Sequence, residues 1–148
     1  MHERVSDLLR TGRVLVYISP SATVLETVET MDKHNVGSIL VMDNHGHLCG
    51  IFTERDLLKR VAAKNIDQEK TRIDSVMTDE VIVVDATTSA ADVFQLMNRH
   101  GCRHIPVADG ERLLGVVSLR DLLREDRKMK ELEIKQMRRY IYNPSYPA

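Results

Sequence analysis

The second half of this 148-residue chain repeats the first half, and this duplication limits the possible folds more than any other feature of the sequence. A shift of 66 residues aligns Met31 with Met97, and a shift of 65 aligns the Arg-Asp-Leu-Leu segment at 55–58 with the same segment at 120–123. The one-residue difference falls within 43–48, where a hairpin loop tolerates a change of length. The chain is therefore built from two copies of one structural unit.

Each unit shows the same pattern of strand and helix signals, which predicts the order β-α-β-β-α. The predicted elements are first strands at 14–18 and 81–84, helices at 23–35 and 89–100, and hairpin strands at 38–42 with 48–53 and at 104–108 with 113–118. A closing helix is predicted to begin at Glu54 in the first unit and at Leu119 in the second, with Thr53 and Ser118 as N-caps. A further echo precedes each unit, because 5–9 resembles 73–77.

One unit has about 50 structured residues and buries too little apolar surface to be stable alone. We therefore expect an α/β (α+β) fold in which the two repeats, at 5–64 and 73–125, pack sheet against sheet about a pseudo-twofold axis. A long C-terminal helical extension is expected at 126–148, with apolar residues at near-heptad spacing. Either a homodimer contact or a helix folded back on its own module accounts for that spacing.

Composition and motifs argue against several functional classes of protein. The 21 Lys and Arg residues balance 22 Asp and Glu residues, so the net charge of -1 gives no general attraction for nucleic acid. Apolar runs reach only four or five residues, which is too short for a membrane span. The N-terminus lacks the apolar segment of a secretory signal, so we expect a cytoplasmic protein. No catalytic motif is found, and we predict that the chain is not an enzyme.

Metal binding is disfavoured as well. The alternating His45, His47 and Cys49 offer three metal ligands, yet they lie at a predicted hairpin turn and lack a fourth ligand at a familiar spacing. The second repeat has no equivalent cluster. We therefore expect no metal site.

The motifs in this order resemble a known family. Residues 75–78 (Ser-Val-Met-Thr), residues 101–107 (Gly-Cys-Arg-His-Ile-Pro-Val) and the doubled Gly-x-x-[Thr/Ser]-x-x-Asp motif at 50–56 and 115–121 are similar to those of tandem CBS (cystathionine β-synthase) domains. Two such domains form one Bateman module. The resemblance covers about residues 5–125, and it implies a cleft between the repeats for AMP, ATP, NAD(H) or S-adenosylmethionine. It also implies regulation of a partner protein.

The resemblance implies that Asp56 and Asp121 hold the ribose of such a ligand, with Thr53 and Ser118 beside the sugar and phosphate. A carboxylate can accept hydrogen bonds from both ribose hydroxyls. A purely structural explanation is a capping box, in which hydroxyl and carboxylate satisfy the first backbone amides of the closing helix. One residue can serve both purposes, and we favour the second copy as the ligand site.

Arg103 and His104 are the reason for that preference. In the family, basic residues at these positions contact phosphate or the edge of the base, and the arginine fork suits a phosphate. The alternative is a basic pair at the rim of the sheet that bridges to Asp109 or Glu111. In the first repeat Gly37 and Ser38 occupy the equivalent places, and only the Ser38 hydroxyl can donate a hydrogen bond.

Adenine needs an apolar slot, and the resemblance implies that the opposite repeat supplies it. For the second site the slot residues are Val16, Ile18 and Val36. For the first site they are Met77, Thr78, Ile82 and Pro106. Ordinary core packing explains each of these apolar residues equally well.

Arg55 and Arg120 stand out because a cation in the first turn of a helix opposes the helix dipole. Each arginine either contacts a bound anion or pairs with a nearby acid, and the sequence leaves both explanations open. For the whole chain we predict a regulatory nucleotide-binding module, with AMP or ATP as the leading ligand and a homodimer as the expected assembly. The alternative is a ligand-free oligomerisation scaffold that uses the C-terminal helix.

Overall fold

The computed structural model describes residues 3–9 and 14–127. Within them lie two three-stranded sheets, one in each repeat, and the helices that accompany them. The predicted C-terminal extension at 126–148 lies outside the described residues except for Asp126 and Arg127.

The two repeats contain matching elements in the predicted order. The first repeat contains β1 (Tyr17–Ile18), α1 (Val24–His34), β2 (Ser38–Met42), β3 (Leu48–Thr53) and α2, which begins at Glu54–Asp56 and continues as a π-helix at Leu57–Ala62. The second repeat contains β4 (Val84–Asp85), α3 (Ala90–His100), β5 (His104–Asp109), β6 (Arg112–Ser118) and α4, which covers 119–127 of the described residues. Each repeat begins with a short 3-10 turn ahead of its first strand, at Val5–Leu8 and at Ile73–Ser75.

The sheets have identical topology. In each, a short first strand runs parallel to the middle strand, which pairs antiparallel with the third. Both hairpins have a register shift at equivalent places, after Val41 and after Val107. The internal repetition predicted from sequence is therefore confirmed down to the bulges.

The first strand of each repeat is the part of the prediction that was wrong. β1 has only two residues instead of the predicted 14–18, and β4 begins at Val84 instead of Val81. The side chain of Val14 is 76% exposed and that of Val83 is 43% exposed. A β-branched run forms a strand only where a neighbouring strand supplies hydrogen bonds, and β1 meets β2 at two residues only.

The first helix of each repeat was predicted well because its ends carry strong signals. Thr23 caps α1 in a capping box with Glu26, and the hydroxyl of Ser89 accepts a hydrogen bond from the backbone of α3. Both helices end at a residue in the left-handed conformation, Asn35 with φ 52° and Gly101 with φ 66°. These conformations turn the chain directly into β2 and β5.

The hydrophobic core consists of two clusters, and each cluster takes in the first residues of the other repeat. Val5, at the start of the first repeat, is fully buried in the cluster of the second repeat. Ile73, at the start of the second repeat, is fully buried in the cluster of the first. The two segments are thus exchanged, and each repeat completes the core of the other.

Backbone hydrogen bonds fix this exchange in the same way on both sides. The Val5 amide donates to the Thr88 carbonyl at 2.7 Å, and the Ile73 amide donates to the Ala22 carbonyl at 2.7 Å. Isolated bridges join Arg4 to Ser89 and Thr23 to Arg72. The exchange gives the two repeats a fixed mutual position, which in turn shapes the cleft between them.

Candidate functional site

A cleft of about 980 Å³ separates the first repeat from α4 of the second repeat. One wall consists of the end of α1 and the starts of β2 and α2, and the other consists of the start of β5 and the cleft-facing residues of α4. Five residues that the sequence predicted for the second nucleotide site line this cleft together: Val36, Arg103, His104, Ser118 and Asp121. The structure therefore brings together the polar residues predicted for the second site.

Ser118 and Asp121 form a capping box at the start of α4. The Ser118 amide donates to Asp121 Oδ2 at 2.8 Å, and the Asp121 amide donates to Ser118 Oγ at 3.1 Å. Oδ1 of Asp121 has no hydrogen bond to any residue of the described chain. The carboxylate therefore caps its helix and still offers one oxygen to the cleft.

Thr53 and Asp56 form the equivalent box in the first repeat, but here the carboxylate is fully engaged. Asp56 Oδ2 accepts from the Thr53 amide at 3.0 Å, and Oδ1 accepts from the Thr78 hydroxyl at 3.3 Å. The Arg60 guanidinium lies 3.6 Å from Oδ1, and the Asp56 side chain is only 12% exposed. Both oxygens of Asp56 thus have protein partners.

Arg103 and His104 lie at the entrance of β5, where the Arg103 carbonyl accepts the Leu119 amide at 2.8 Å. Within residues 3–9 and 14–127, the Arg103 guanidinium makes no ion pair, so it does not bridge to Asp109 or Glu111. Burial lowers the pKa of His104, and Arg103 lowers it further, whereas the carboxylates of Glu54 and Asp121 act to raise it. A neutral imidazole therefore faces the cleft at pH 7.

The slot residues predicted for the second site are divided between different places. Val16 and Val36 line a separate cavity of about 60 Å³ together with Ser38, which was predicted for the first site, and with residues of the second-repeat sheet. Val36 lines both this cavity and the cleft. Ile18 lines neither cavity nor cleft, and like Val16 and Val36 it packs against the first core cluster.

The residues predicted for the first slot lie against β3 or inside the second repeat. The Met77–Thr78 backbone covers β3, and the Ile51 amide donates to the Thr78 carbonyl at 2.9 Å. Pro106 is buried within β5, and Ile82 lies partly buried ahead of β4. Around Asp56 the structure thus places protein groups where the prediction placed a ligand.

Arg124 and Glu54 are among the cleft residues that the sequence analysis missed. Arg124 follows Arg120 by one helical turn, so the two lie on one face of α4, and both line the cleft. Glu54 also lines it, at the place that Leu119 occupies in the second repeat. The four-residue spacing of the arginines was a visible signal, whereas the role of Glu54 depends on how the repeats pack.

Of the hairpin cluster, His45 and His47 lie between β2 and β3, and Cys49 lies in β3. The Asp43 carboxylate accepts the backbone amides of His45 and His47, each at 2.9 Å, and these bonds hold the pKa of Asp43 below its usual range. In the part of the chain that the structure describes, no group of three or more His, Cys, Asp or Glu side chains is arranged to hold a metal ion. Nor does any described helix have the length and apolar character to cross a membrane.

Comparison with known proteins identifies the repeats. The CBS-domain model matches residues 5–63 and 73–128. The CBS domain-containing protein YhcV of Bacillus subtilis is 37% identical over 118 residues, which cover 80% of this chain and 81% of YhcV. By contrast, the chain spans only 37% of the arabinose 5-phosphate isomerase KdsD of Yersinia pestis, to which it is 35% identical.

Solved structures show the same architecture. A CBS-domain-containing protein from Agrobacterium tumefaciens superimposes with a TM-score of 0.77 at 32% identity, over 83% of this chain and 98% of that one. A hexameric CBS-CP12 protein from bloom-forming cyanobacteria gives a TM-score of 0.78 at 25% identity, over 96% of this chain and 79% of that one. The architecture thus occurs both in chains of similar length and inside larger assemblies.

Proposed function

The chain belongs to the CBS-domain family, and we propose that it is a regulatory module whose cleft binds an adenosine-containing nucleotide on the second repeat. A pair of CBS domains is a regulatory type of module. Its presence as one part of KdsD fits that description, because the same unit is there joined to an enzyme. We propose three further properties: that the ligand is a nucleotide, that it binds on the second repeat, and that its binding regulates a partner.

The availability of Asp121 is the observation that carries the proposal. Both oxygens of its counterpart Asp56 accept hydrogen bonds from protein groups, whereas Asp121 lines a cleft large enough for a nucleotide and its Oδ1 has no hydrogen bond to a described residue. Asp121 Oδ1 is not among the buried side-chain atoms without a partner, so water can reach it and a ligand hydroxyl can take the place of that water. A ribose diol supplies two donors of the required kind.

The remaining groups of the cleft suit the rest of the ligand. The start of α4 presents the positive end of a helix dipole, which favours a phosphate, although the amides of Ser118, Leu119 and Asp121 already have protein partners. Arg103 adds a planar pair of donors. Val36 supplies apolar surface for a base, and the neutral His104 can donate or accept a hydrogen bond at its edge.

Regulation follows from the position of the cleft between the repeats. A ligand that touches both walls shifts the balance between more open and more closed arrangements, by as much as its affinities for the two differ. A protein partner that reads this arrangement would then respond to the nucleotide. We include self-association in the proposal, with a homodimer as the simplest form, and the hexameric CBS-CP12 relative shows that this architecture can assemble.

A thermal-shift panel tests the proposal with AMP, ADP, ATP, NAD(H) and S-adenosylmethionine. A ligand at 100 times its Kd adds about 2.7 kcal/mol of stability, which corresponds to about 5–10 °C in a chain of this size. We expect at least one of these ligands to give such a shift. Asp121→Ala should abolish it, and Asp56→Ala, measured against its own unliganded Tm, should retain it.

Other outcomes would be equally informative. The reverse ranking of the two variants would move the site to the first repeat. No shift with any of the five compounds would favour the ligand-free scaffold. A crystal soaked with the active nucleotide should place its ribose on Asp121, and a solvent-facing Asp121 in that crystal would contradict the proposed site.

A further inference from the structure

We propose that the cleft selects nucleotides by the length of their phosphate chain, and that Arg120, with Arg103 and Arg124, determines this selectivity. The inference rests on the proposed function and makes it narrower, because it favours ADP and ATP over AMP and over the phosphate-free S-adenosylmethionine. It comes from a difference between two arginines that the duplication makes equivalent.

Arg55 and Arg120 occupy the same position in α2 and α4, in the first turn of the helix. A cation there opposes the helix dipole and needs a compensating negative group. Arg55 has one, because its guanidinium donates to the Gly101 carbonyl at 3.2 Å, at the negative end of α3. The Arg55 guanidinium, whose charge opposes the helix dipole, thus makes a hydrogen bond between the two repeats.

Arg120 has no such partner. The equivalent carbonyl belongs to Asn35, which also lines the cleft, yet no hydrogen bond or ion pair joins the Arg120 guanidinium to any residue in 3–9 or 14–127. The same is true of the guanidinium groups of Arg103 and Arg124. Three guanidinium groups without a partner among the described residues thus line one cleft, and an anion is the group that would pair with them.

The spacing of these arginines indicates an extended anion. Arg120 and Arg124 lie one turn apart on one face of α4, about 6 Å along the helix axis at 1.5 Å per residue. Arg103 lies across the start of that helix, where its carbonyl holds the Leu119 amide. One phosphate at the helix start can meet one or two of the three guanidinium groups, whereas a chain of two or three phosphates along α4 can meet all of them.

The acidic residues of the cleft do not cancel this charge. Asp32, Glu54 and Asp121 line it, with Asp121 assigned to the ribose. Glu54 lies over Gly37 on the first-repeat wall, where a Cβ on that glycine would be 3.3 Å from the Glu54 carboxyl carbon. Asp32 lies on α1. Two of the three acids therefore belong to the wall opposite α4.

Titration calorimetry on the full chain tests the inference with adenosine, AMP, ATP and inorganic tripolyphosphate. We expect ATP to bind at least about tenfold more tightly than AMP at low ionic strength, with the difference shrinking as salt is added. Arg120→Gln should weaken ATP and tripolyphosphate by about fivefold or more and leave adenosine within about twofold. Arg124→Gln should act in the same direction.

Arg112→Gln is the matched control, because it removes one exposed positive charge from the same repeat at the start of β6, away from the cleft. It should leave all four affinities within about twofold. Equal affinities for AMP and ATP would overturn the inference, and so would an Arg120→Gln effect no larger than that of Arg112→Gln.

The two proposals can fail separately. If AMP and ATP bind equally and both depend on Asp121, the nucleotide site stands and the selectivity is wrong. If tripolyphosphate binds through Arg120 while adenosine and its nucleotides gain nothing from Asp121, the anion site stands and the proposed nucleotide site is wrong. If neither tripolyphosphate nor any nucleotide binds, both are wrong.

Discussion

The two repeats contain the same capping motif and use it differently. Asp56 and Asp121 both cap a closing helix, yet the first also accepts a hydrogen bond from Thr78 and faces Arg60. The residue equivalent to Arg60 in the second repeat is Glu125, so the position four residues beyond Asp121 holds an acid instead of a cation. The comparison teaches that a motif identifies where a carboxylate lies, whereas its neighbours one turn away decide whether it is free for a ligand.

The largest effect is expected from a substitution in one of the two exchanged segments, each of which is buried in the core of the other repeat. Ile73→Ala should destabilise the chain by about 3 kcal/mol, because it removes a fully buried side chain from the core of the other repeat. Val5→Ala, the matching change on the other side, should cost about 1–2 kcal/mol, since fewer methyl groups are lost. Urea unfolding of both variants measures this. An Ile73→Ala variant as stable as the wild type would show that the exchanged segment contributes little.

The next prediction compares the glycines of the doubled motif. A Cβ on Gly50 would lie 2.5 Å from Met77 Sδ and 2.7 Å from the Thr78 carbonyl oxygen, whereas a Cβ on Gly115 would lie 3.3 Å from a flexible Leu9 methyl group. Gly50→Ala should therefore destabilise by about 2 kcal/mol, because the backbone must move. Gly115→Ala should change stability by less than about 1 kcal/mol. Equal urea midpoints would contradict this asymmetry.

A smaller change would make the first repeat more like the second. Thr78→Val removes the hydroxyl that donates to Asp56 and keeps the side-chain shape, so we expect a loss of about 1 kcal/mol in the free energy of unfolding. The second repeat offers no matching variant, because no hydroxyl of the described residues donates a hydrogen bond to Asp121. Urea unfolding checks the stability. A gain in nucleotide affinity that depends on Asp56 would show that Thr78 occupies a potential ligand position.

The smallest effect concerns pH. Burial lowers the pKa of His104 in the folded state, so the unfolded chain binds more protons near pH 6. Stability should then fall as the pH drops below the ordinary histidine value of about 6.5. His104→Ser, which introduces the residue that the first repeat has at Ser38, should lose this part of the pH dependence. The difference in Tm between the two proteins from pH 7.5 to pH 5.5 measures it, and identical slopes would contradict it.

Much of the fold could be predicted from local signals. Thr23 and Ser89 begin helices because their hydroxyls satisfy backbone amides, and this depends on only a few consecutive residues. The short first strands were overestimated, because the length of β1 depends on how far β2 extends beside it. Local patterns therefore predict elements with strong ends and fail where a distant strand sets the length.

The candidate site divides in the same way. Ser118, Asp121, Arg103 and His104 were expected together, and they line one cleft because the duplicated motif places them at one end of a sheet. The apolar slot was not predictable, since the residues that face it depend on the angle at which the two sheets meet. The engagement of Asp56 by Thr78 likewise depends on a contact across 22 residues.

The exchanged segments have a consequence for dissecting the molecule. A chain cut between the repeats, near residue 68, would separate the first sheet from the isoleucine that fills its interior and the second sheet from the valine that fills its own. Neither fragment would be a complete hydrophobic unit, although each contains one whole sequence motif. Mixed together, the two fragments should reassemble, because each holds the missing piece of the other.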